Sequence, residues 1–282
     1  MVARLRRVLV CSPRAAGWDT PGQSSHWSGL GFRHAPDFDT AQKQHQELCR
    51  QLQVAGAEMV ELPPSPELSL DAVYAHDPSF TTGRGMAILH PGKQNRVVEA
   101  RIHKKFFHDL GIPILGEIKL PAVAEAGDMV WLASRTLLVG CGYRTNAGGI
   151  FQLRALLEGI EVITAPLPYG AGPSGCLHLM SLMSLLDEQT VLVDLPWLAV
   201  DTVELLKARH YRFVEIDASE RDTLACNVLA LGEKRLLALD ENPKTNERLR
   251  AAGFEVWTFP GSELCINGGG GPTCLTRPLL RG

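Results

Sequence analysis

Residues 156–168 read LLEGIEVITAPLP: the tail of an amphipathic stretch, a glycine break, then a short apolar run. The phrase recurs as LCRQLQVAGAEMVELP (48–63), FFHDLGIPIL (106–115), LLKARHYRFVEI (205–216) and LRAAGFEVWTFP (249–260). The breaks fall at Gly56, Gly111, Gly159, His210 and Gly253, at intervals of 55, 48, 51 and 43 residues. Glycine after a helical pattern is the expected C-terminal cap, because it enters the left-handed region without a Cβ penalty. Each phrase therefore predicts a helix, a left-handed stop and a strand. Repeats of this kind cannot bury their apolar faces alone and must pack on one another.

A second apolar strand precedes each helix: VLV (8–10), MAIL (86–89), TLLVG (136–140), VLVDL (191–195) and RLLAL (235–239). Thr145 and Asn146 are placed to cap the third helix, and Asn242-Pro243 joins a capping residue to proline at the first helical position. A third, strand-like segment lies between successive units, so each unit is roughly ββαβ and five are countable. Polar residues concentrate in these segments: Asp77 (AHDPSF), Asp128 (EAGDMVW), His178 (CLHLMS), Asn227 (ACNVLA) and Cys274 (GPTCLT), spaced 51, 50, 49 and 47 residues apart. One such group per repeat, at near-constant register, places all five near one end of a pseudo-fivefold axis. Convergence of Asp, His and Cys from distant positions is how a nucleophilic site is built. The expected fold is α/β, a five-bladed propeller of pseudo-fivefold ββαβ repeats.

The length of 282 residues exceeds the usual ~100–150-residue domain and by itself leaves one large domain and two small ones open. The repeat decides for a single domain over residues 1–282. Apolar residues make up 45% and charged residues 21%, which excludes a disordered or fibrous chain. The 28 basic and 31 acidic groups give a net charge of −3, without the clustered Lys/Arg of a nucleic-acid or membrane surface. Seven cysteines, with no CxxC pair and no zinc spacing, suggest a reduced, cytoplasmic protein whose cysteines are mostly small buried hydrophobes. Val8-Leu9-Val10 is too short for the apolar region of a signal peptide, and no stretch approaches a bilayer span of ~18 apolar residues. No phosphate loop, metal-ligand cluster or cofactor fingerprint is present, so neither metal nor cofactor is expected. The first unit carries an insertion, Ala15 to Asp39, rich in Gly, Ser, Pro, His and Trp, and its place beside the first strand suggests an active-site lid.

The ordered set AHDPSF, EAGD followed by GYRTN, CLHL, and GGGGPTC eight residues from the C-terminus resembles the guanidine-modifying pentein hydrolases. Within them it looks most like the dimethylarginine dimethylaminohydrolases. Each motif is short; the order of all four carries the resemblance, which runs from the first strand through Cys274. It implies a five-unit propeller with the active site on the axis.

By that resemblance Cys274 is the nucleophile. A thiolate attacks the guanidinium carbon, an amine leaves, and an S-alkylthiouronium forms that water then hydrolyses. His178 matches the residue that protonates the amine and deprotonates the water, roles that suit an unperturbed pKa near ~6.5. Glu125 matches its orienting carboxylate, and Asp128 either holds the turn or contacts the imidazole side. Asp77 matches the guanidinium anchor, Asp71 the holder of the substrate α-amino group, and Arg96 and Arg144 the pair that take its α-carboxylate. Taken singly, each of these has an ordinary structural reading: a buried cysteine among seven, a core histidine, a capping carboxylate, a solvated charge. Together they complement a free amino acid with a guanidinium side chain. The Gly268–Gly271 run suits a close backbone approach to substrate.

Two positions depart from the family pattern. His76 stands where dimethylargininases commonly carry Glu before the anchoring Asp. Met180 stands where arginine deiminases and amidinotransferases carry a second Asp. An apolar residue there favours N-alkyl substitution over bare arginine, since an unpaired buried N–H costs about 1–3 kcal/mol. The expected activity is cofactor-independent hydrolysis of Nω-methylated arginine to citrulline and methylamine or dimethylamine. The rivals are hydrolysis of unmodified arginine or another guanidino compound, amidine transfer to an amine, and a non-enzymatic pentein binding protein. The expected partner is a small guanidino amino acid, and the family resemblance suggests a homodimer. Asn227 has no role assigned.

Overall fold

Four ββαβ units follow one another from residue 79 to residue 259, and the two ends of the chain meet to make a fifth. The computed structural model describes residues 1–282 except Ala171, Cys176 and the side chain of Ser174. The chain begins with β1 (Leu5–Val10), α1 (Phe38–Val54) and β2 (Glu58–Glu61). The next unit is β3 (Ser79–Thr82), β4 (Gly85–Ile88), α2 (Val97–Asp109) and β5 (Ile114–Glu117). The following one is β6 (Met129–Ala133), β7 (Thr136–Cys141), α3 (Ala147–Leu156) and β8 (Glu161–Pro166). Then come β9 (Met183–Leu185), β10 (Thr190–Val193), α4 (Val200–Ala208) and β11 (Arg212–Glu215). The last full unit is β12 (Leu229–Gly232), β13 (Arg235–Leu239), α5 (Pro243–Ala251) and β14 (Glu255–Phe259), and β15 (Arg277–Arg281) ends the chain.

Each unit forms its own three-stranded sheet, with the first strand antiparallel to the second and the second parallel to the third. The parallel pair needs a crossover, and the helix supplies it. The first unit has no preceding strand of its own. β15 fills that place, pairing antiparallel with β1 from Leu5↔Arg281 to Leu9↔Arg277 while β1 runs parallel to β2. Strand pairing thus joins the two ends of the chain, and five sheets make the five-bladed α/β propeller expected.

All five repeat breaks adopt left-handed backbone: Gly56, Gly111, Gly159, His210 and Gly253 have φ between 61° and 94°. Asn146 caps α3, accepting from Gly149 N at 2.8 Å. Asn242 precedes Pro243 as expected but does not cap with its side chain, which turns back to bond Thr223 instead. The strand expected over 191–195 stops at Val193, because Asp194 is drawn into an ion pair with Arg221. Burial follows the amphipathic pattern: α1 buries Ala41, Gln44, His45, Leu48 and Leu52, a 3–4 spacing that covers one face.

The five register residues sit just before the five inner strands, β3, β6, β9, β12 and β15, and contacts link neighbouring units into a ring. His76 N donates to Cys274 O at 3.1 Å, and Gly127 N to Asp77 Oδ1 at 3.1 Å. Leu179 N donates to Asp128 Oδ1 at 2.9 Å, Ser184 Oγ to Cys226 O at 2.7 Å, and Asn227 Nδ2 to Cys274 Sγ at 3.1 Å. Beneath this ring the inner strands enclose a cavity of about 150 Å³ lined by Phe80, Met129, Met183, Leu229 and Leu279, with His76 and Met180 at its wall. Among the described residues no helix is long and apolar enough to cross a membrane.

The insertion at 15–39 forms short turns, Pro21–Ser24 and Trp27–Leu30, rather than a long loop. Trp18 and Phe32 pack edge to face and are buried. The segment is tied down by Trp18 Nε1 to Leu70 O at 3.0 Å and by Arg33 N to Asn267 O at 2.9 Å. It therefore spans from the Asp71 turn to the edge of the glycine run before Cys274.

Candidate active site

Asp77 is buried beside β3, and both its oxygens are engaged. Oδ1 accepts from Gly127 N, and Oδ2 from Arg96 Nη1 at 2.6 Å. Burial would push its carboxyl up, but the charges of His178, Arg96 and Arg144 outweigh this and hold it well below the usual carboxylate range. Arg96 is 3% exposed. Its remaining donors go to Glu99, at 2.8 and 3.1 Å, and to Tyr74 O at 2.7 Å. The guanidinium expected to meet a substrate carboxylate is thus packed against Asp77 and Glu99.

Glu125, also fully buried, lies at the centre of the second cluster. Its Oε2 is 2.7 Å from His178 Nε2 and 2.8 Å from Arg144 Nη2. Its Oε1 accepts from Gly92 N at 2.9 Å and Arg144 Nε at 3.0 Å. Burial raises this carboxyl, and the His178 hydrogen bond and the Arg144 charge more than offset that, leaving it below its ordinary value. An ionised Glu125 requires a proton on His178 Nε2, which fixes the tautomer of the ring. Gly127 is the spacer between the clusters: a Cβ there would stand 2.7 Å from the imidazole ring and 3.0 Å from Asp77 Oδ1.

Cys274 is partly buried at the same end of the axis. Asn227, which the sequence reading leaves without a role, donates Nδ2 to its sulfur at 3.1 Å and accepts Thr273 N on Oδ1 at 3.0 Å. The glycine run is required by the protein's own packing. A Cβ on Gly268 would lie 2.1 Å from Tyr74 Oη, one on Gly270 2.4 Å from the Tyr74 ring, and one on Gly271 2.6 Å from Asn227 Cγ. The close approach read from the sequence is therefore made to Tyr74 and Asn227.

Asp71 is paired with Lys93, whose ammonium also reaches Leu30 O of the insertion at 2.6 Å. Sequence reasoning missed Lys93; its place in HPGK, next to the Gly92 that caps Glu125, is the only signal. Asp128 turns toward β9: Oδ1 holds Leu179 N, while Oδ2 is buried without a partner. Burial pushes its carboxyl up to about 6. His76 donates Nδ1 to Thr276 O at 2.7 Å and is pushed down to about 3, first by burial and then by Arg277, so it is neutral. Its ring faces the axial cavity, as does Met180. Arg144, expected with Arg96 at the substrate carboxylate, holds Glu125.

One ligand atom each from Asp77, Glu125 and His178 lie within 4.8 Å of one another, close enough to share a metal ion. Both oxygens of each carboxylate already have donors, so the protein's own cations and N–H groups supply the counter-charge here. What the arrangement provides is a buried carboxylate held ionised, an imidazole oriented by a second carboxylate, and a thiol held by an amide.

A family model described as "Arginine deiminase" matches residues 60–203 and 195–281. An N(G),N(G)-dimethylarginine dimethylaminohydrolase from Streptomyces coelicolor is 28% identical, covering 88% of this chain and 89% of its own. The dimethylarginine dimethylaminohydrolase of Pseudomonas aeruginosa, solved as a cysteine-to-serine mutant with citrulline, superposes with a TM-score of 0.77 at 25% identity, covering 97% of this chain and 99% of that one. The N-terminal domain of ArgZ, an arginine dihydrolase from cyanobacteria, shares the fold with a TM-score of 0.83 at 20% identity, covering 98% and 97% of the two chains. The propeller, its axial cluster and the family match together show that this chain belongs to the arginine deiminase family, among the guanidine-modifying hydrolases of pentein fold.

Proposed function

We propose that residues 1–282 form one catalytic domain that hydrolyses Nω-methylated arginine to citrulline and methylamine or dimethylamine, with Cys274 as nucleophile. The observation that carries this reading is the His178–Glu125 pair beside the ionised Asp77, at the end of the axis where Cys274 meets Asn227. Asp77 fixes the guanidinium by accepting parallel N–H bonds. The Cys274 thiolate forms a bond to the guanidinium carbon, and His178 gives a proton to the departing amine. The S-alkylthiouronium is then attacked by water, which loses a proton to His178. The thiolate leaves, and the urea group of citrulline remains. Glu125 stabilises the imidazolium through both half-reactions. Arg96 and Arg144 serve as positioning residues, holding Asp77 and Glu125 in their ionised forms. The insertion at 15–39 acts as the lid over the Asp71 side. Incubation with asymmetric dimethylarginine and, separately, with arginine tests the reading: citrulline and dimethylamine are expected from the first, and turnover of arginine alone would refute it.

The Lys93–Asp71 pair favours a second reading. An ammonium already fills the carboxylate that a substrate α-amino group would use, which suits a guanidino compound without that amine. The desamino analogue of dimethylarginine separates the two.

A further inference from the structure

Four of the five axial register residues have a part in the scheme above or a structural one, and Asn227 has neither. We propose that Asn227 is a catalytic residue whose side-chain amide holds the Cys274 sulfur as a thiolate aimed into the site. The inference deepens the reading of Cys274 as nucleophile and rests on it.

The orientation of the amide is determined. Thr273 N donates to Asn227 Oδ1 at 3.0 Å, so Nδ2 is the atom that faces Cys274 Sγ at 3.1 Å. An amide NH2 only donates, which makes the sulfur the acceptor. A hydrogen bond to sulfur strengthens when the sulfur is charged, so this contact favours the thiolate over the thiol. It also favours the thiolate over the covalent thiouronium, whose sulfur has given its charge to the new bond. The N–H thus acts twice, when the nucleophile forms and when it departs from the second tetrahedral intermediate.

The surroundings are built to hold this amide. Asn227 is buried, its own N–H donates to Leu224 O at 2.9 Å, and Leu224 is left-handed at φ 65°. The adjacent Thr273 is pinned by Oγ1 to Val228 O at 3.1 Å. Gly271 supplies the space, since a Cβ there would meet the Asn227 carboxamide at 2.6 to 2.7 Å. Cys265 interacts electrostatically with Cys274, and His76 N donates to the Cys274 carbonyl. Burial keeps Cys265 a thiol and His76 neutral, so neither supplies a cation to the sulfur.

The test is the pH dependence of Cys274 alkylation by iodoacetamide in the full-length protein, with the site of modification read by mass spectrometry. Asn227→Ala should raise the midpoint by about one unit and lower turnover about 10- to 100-fold. Asn227→Asp should raise it further, because it keeps the shape and the acceptor for Thr273 N but replaces the donor with a like charge. A merely structural Asn227 predicts a wild-type midpoint in N227A, whatever the like charge does in N227D, and that result would overturn the proposal. Alkylation requires no substrate, so a shifted midpoint in a protein that fails to turn over methylated arginine would support Asn227 while refuting the proposed substrate.

Discussion

His178 Nε2 lies 2.7 Å from Glu125 Oε2, and Arg144 grips both oxygens of the same carboxylate. The imidazole is therefore held in one tautomer by a charge that is itself held in place. Three residues from two units of the propeller act as one, which is why none of them reads as special alone.

Glu125→Gln tests that coupling. An amide can turn its NH2 toward His178 and impose the wrong tautomer, while Arg144 loses its counter-charge. Turnover is expected to fall about 10³- to 10⁴-fold, with alkylation of Cys274 retained. Activity within tenfold of wild type would detach Glu125 from the histidine's work.

Selective labelling follows from the cysteine environments. Burial pushes the Cys49 thiol up to about 12 and raises Cys11, Cys141, Cys226 and Cys265 as well. A haloacetamidine, which mimics the guanidinium, should modify Cys274 first among the six described cysteines at neutral pH. The check is peptide mass spectrometry after partial inactivation, and Cys274→Ser should abolish both labelling and turnover. Modification of another described cysteine in step with loss of activity would move the nucleophile elsewhere.

Much of this architecture is legible because it repeats. The five breaks are chain-local, decided by what a left-handed residue permits, and even His210 obeys the spacing. The axial register is legible for the same reason, since a polar or reactive residue precedes each inner strand at near-constant spacing. Closure by β15 is not legible: nothing local in RPLLR tells it to serve as the inner strand of a unit begun more than 260 residues earlier. Side-chain partners are hidden too. Arg96 and Arg144 look alike in sequence as cations for a substrate carboxylate, yet buried Asp77, Glu99 and Glu125 compete for them at contact distance. Asn227 keeps the register but shows no role in sequence, and Lys93 shows neither, because the contact of an amide with a thiol, or of an ammonium with a loop carbonyl, is a tertiary fact.

Asp128 should leave a signature in the pH dependence of stability. Its native carboxyl titrates at about 6 against an ordinary 3.8, because burial disfavours the charge more than His178, Thr145 and the Leu179 N–H favour it. Between those values the native state keeps a proton that the unfolded chain has released. Its contribution is therefore present below pH 4 and lost as pH rises through 6, about 3 kcal/mol in all. Asp128→Asn stays neutral and keeps the acceptor for Leu179 N, so relative to wild type it should gain about that amount between pH 4 and pH 7. Urea unfolding of both proteins at the two pH values measures the difference. Equal differences at pH 4 and pH 7 would show that Asp128 is ionised throughout.

Lys93 decides what Asp71 is for. The Asp71 side chain is 3% exposed and paired with Lys93, whose ammonium also bonds Leu30 O. Lys93→Met leaves Asp71 buried without its cation and frees the 27–30 turn, so unfolding should become easier by about 1–3 kcal/mol. The same change opens a carboxylate to any ligand that brings its own ammonium. kcat/KM for asymmetric dimethylarginine, divided by that for its desamino analogue, should then rise at least tenfold, roughly 1.4 kcal/mol of discrimination. The increase should lie in KM, because the new contact is to the amino end of the substrate and not to the reacting guanidinium. If the ratio does not move, Asp71 belongs to the anchoring of the insertion, and the amino end of the substrate is recognised elsewhere.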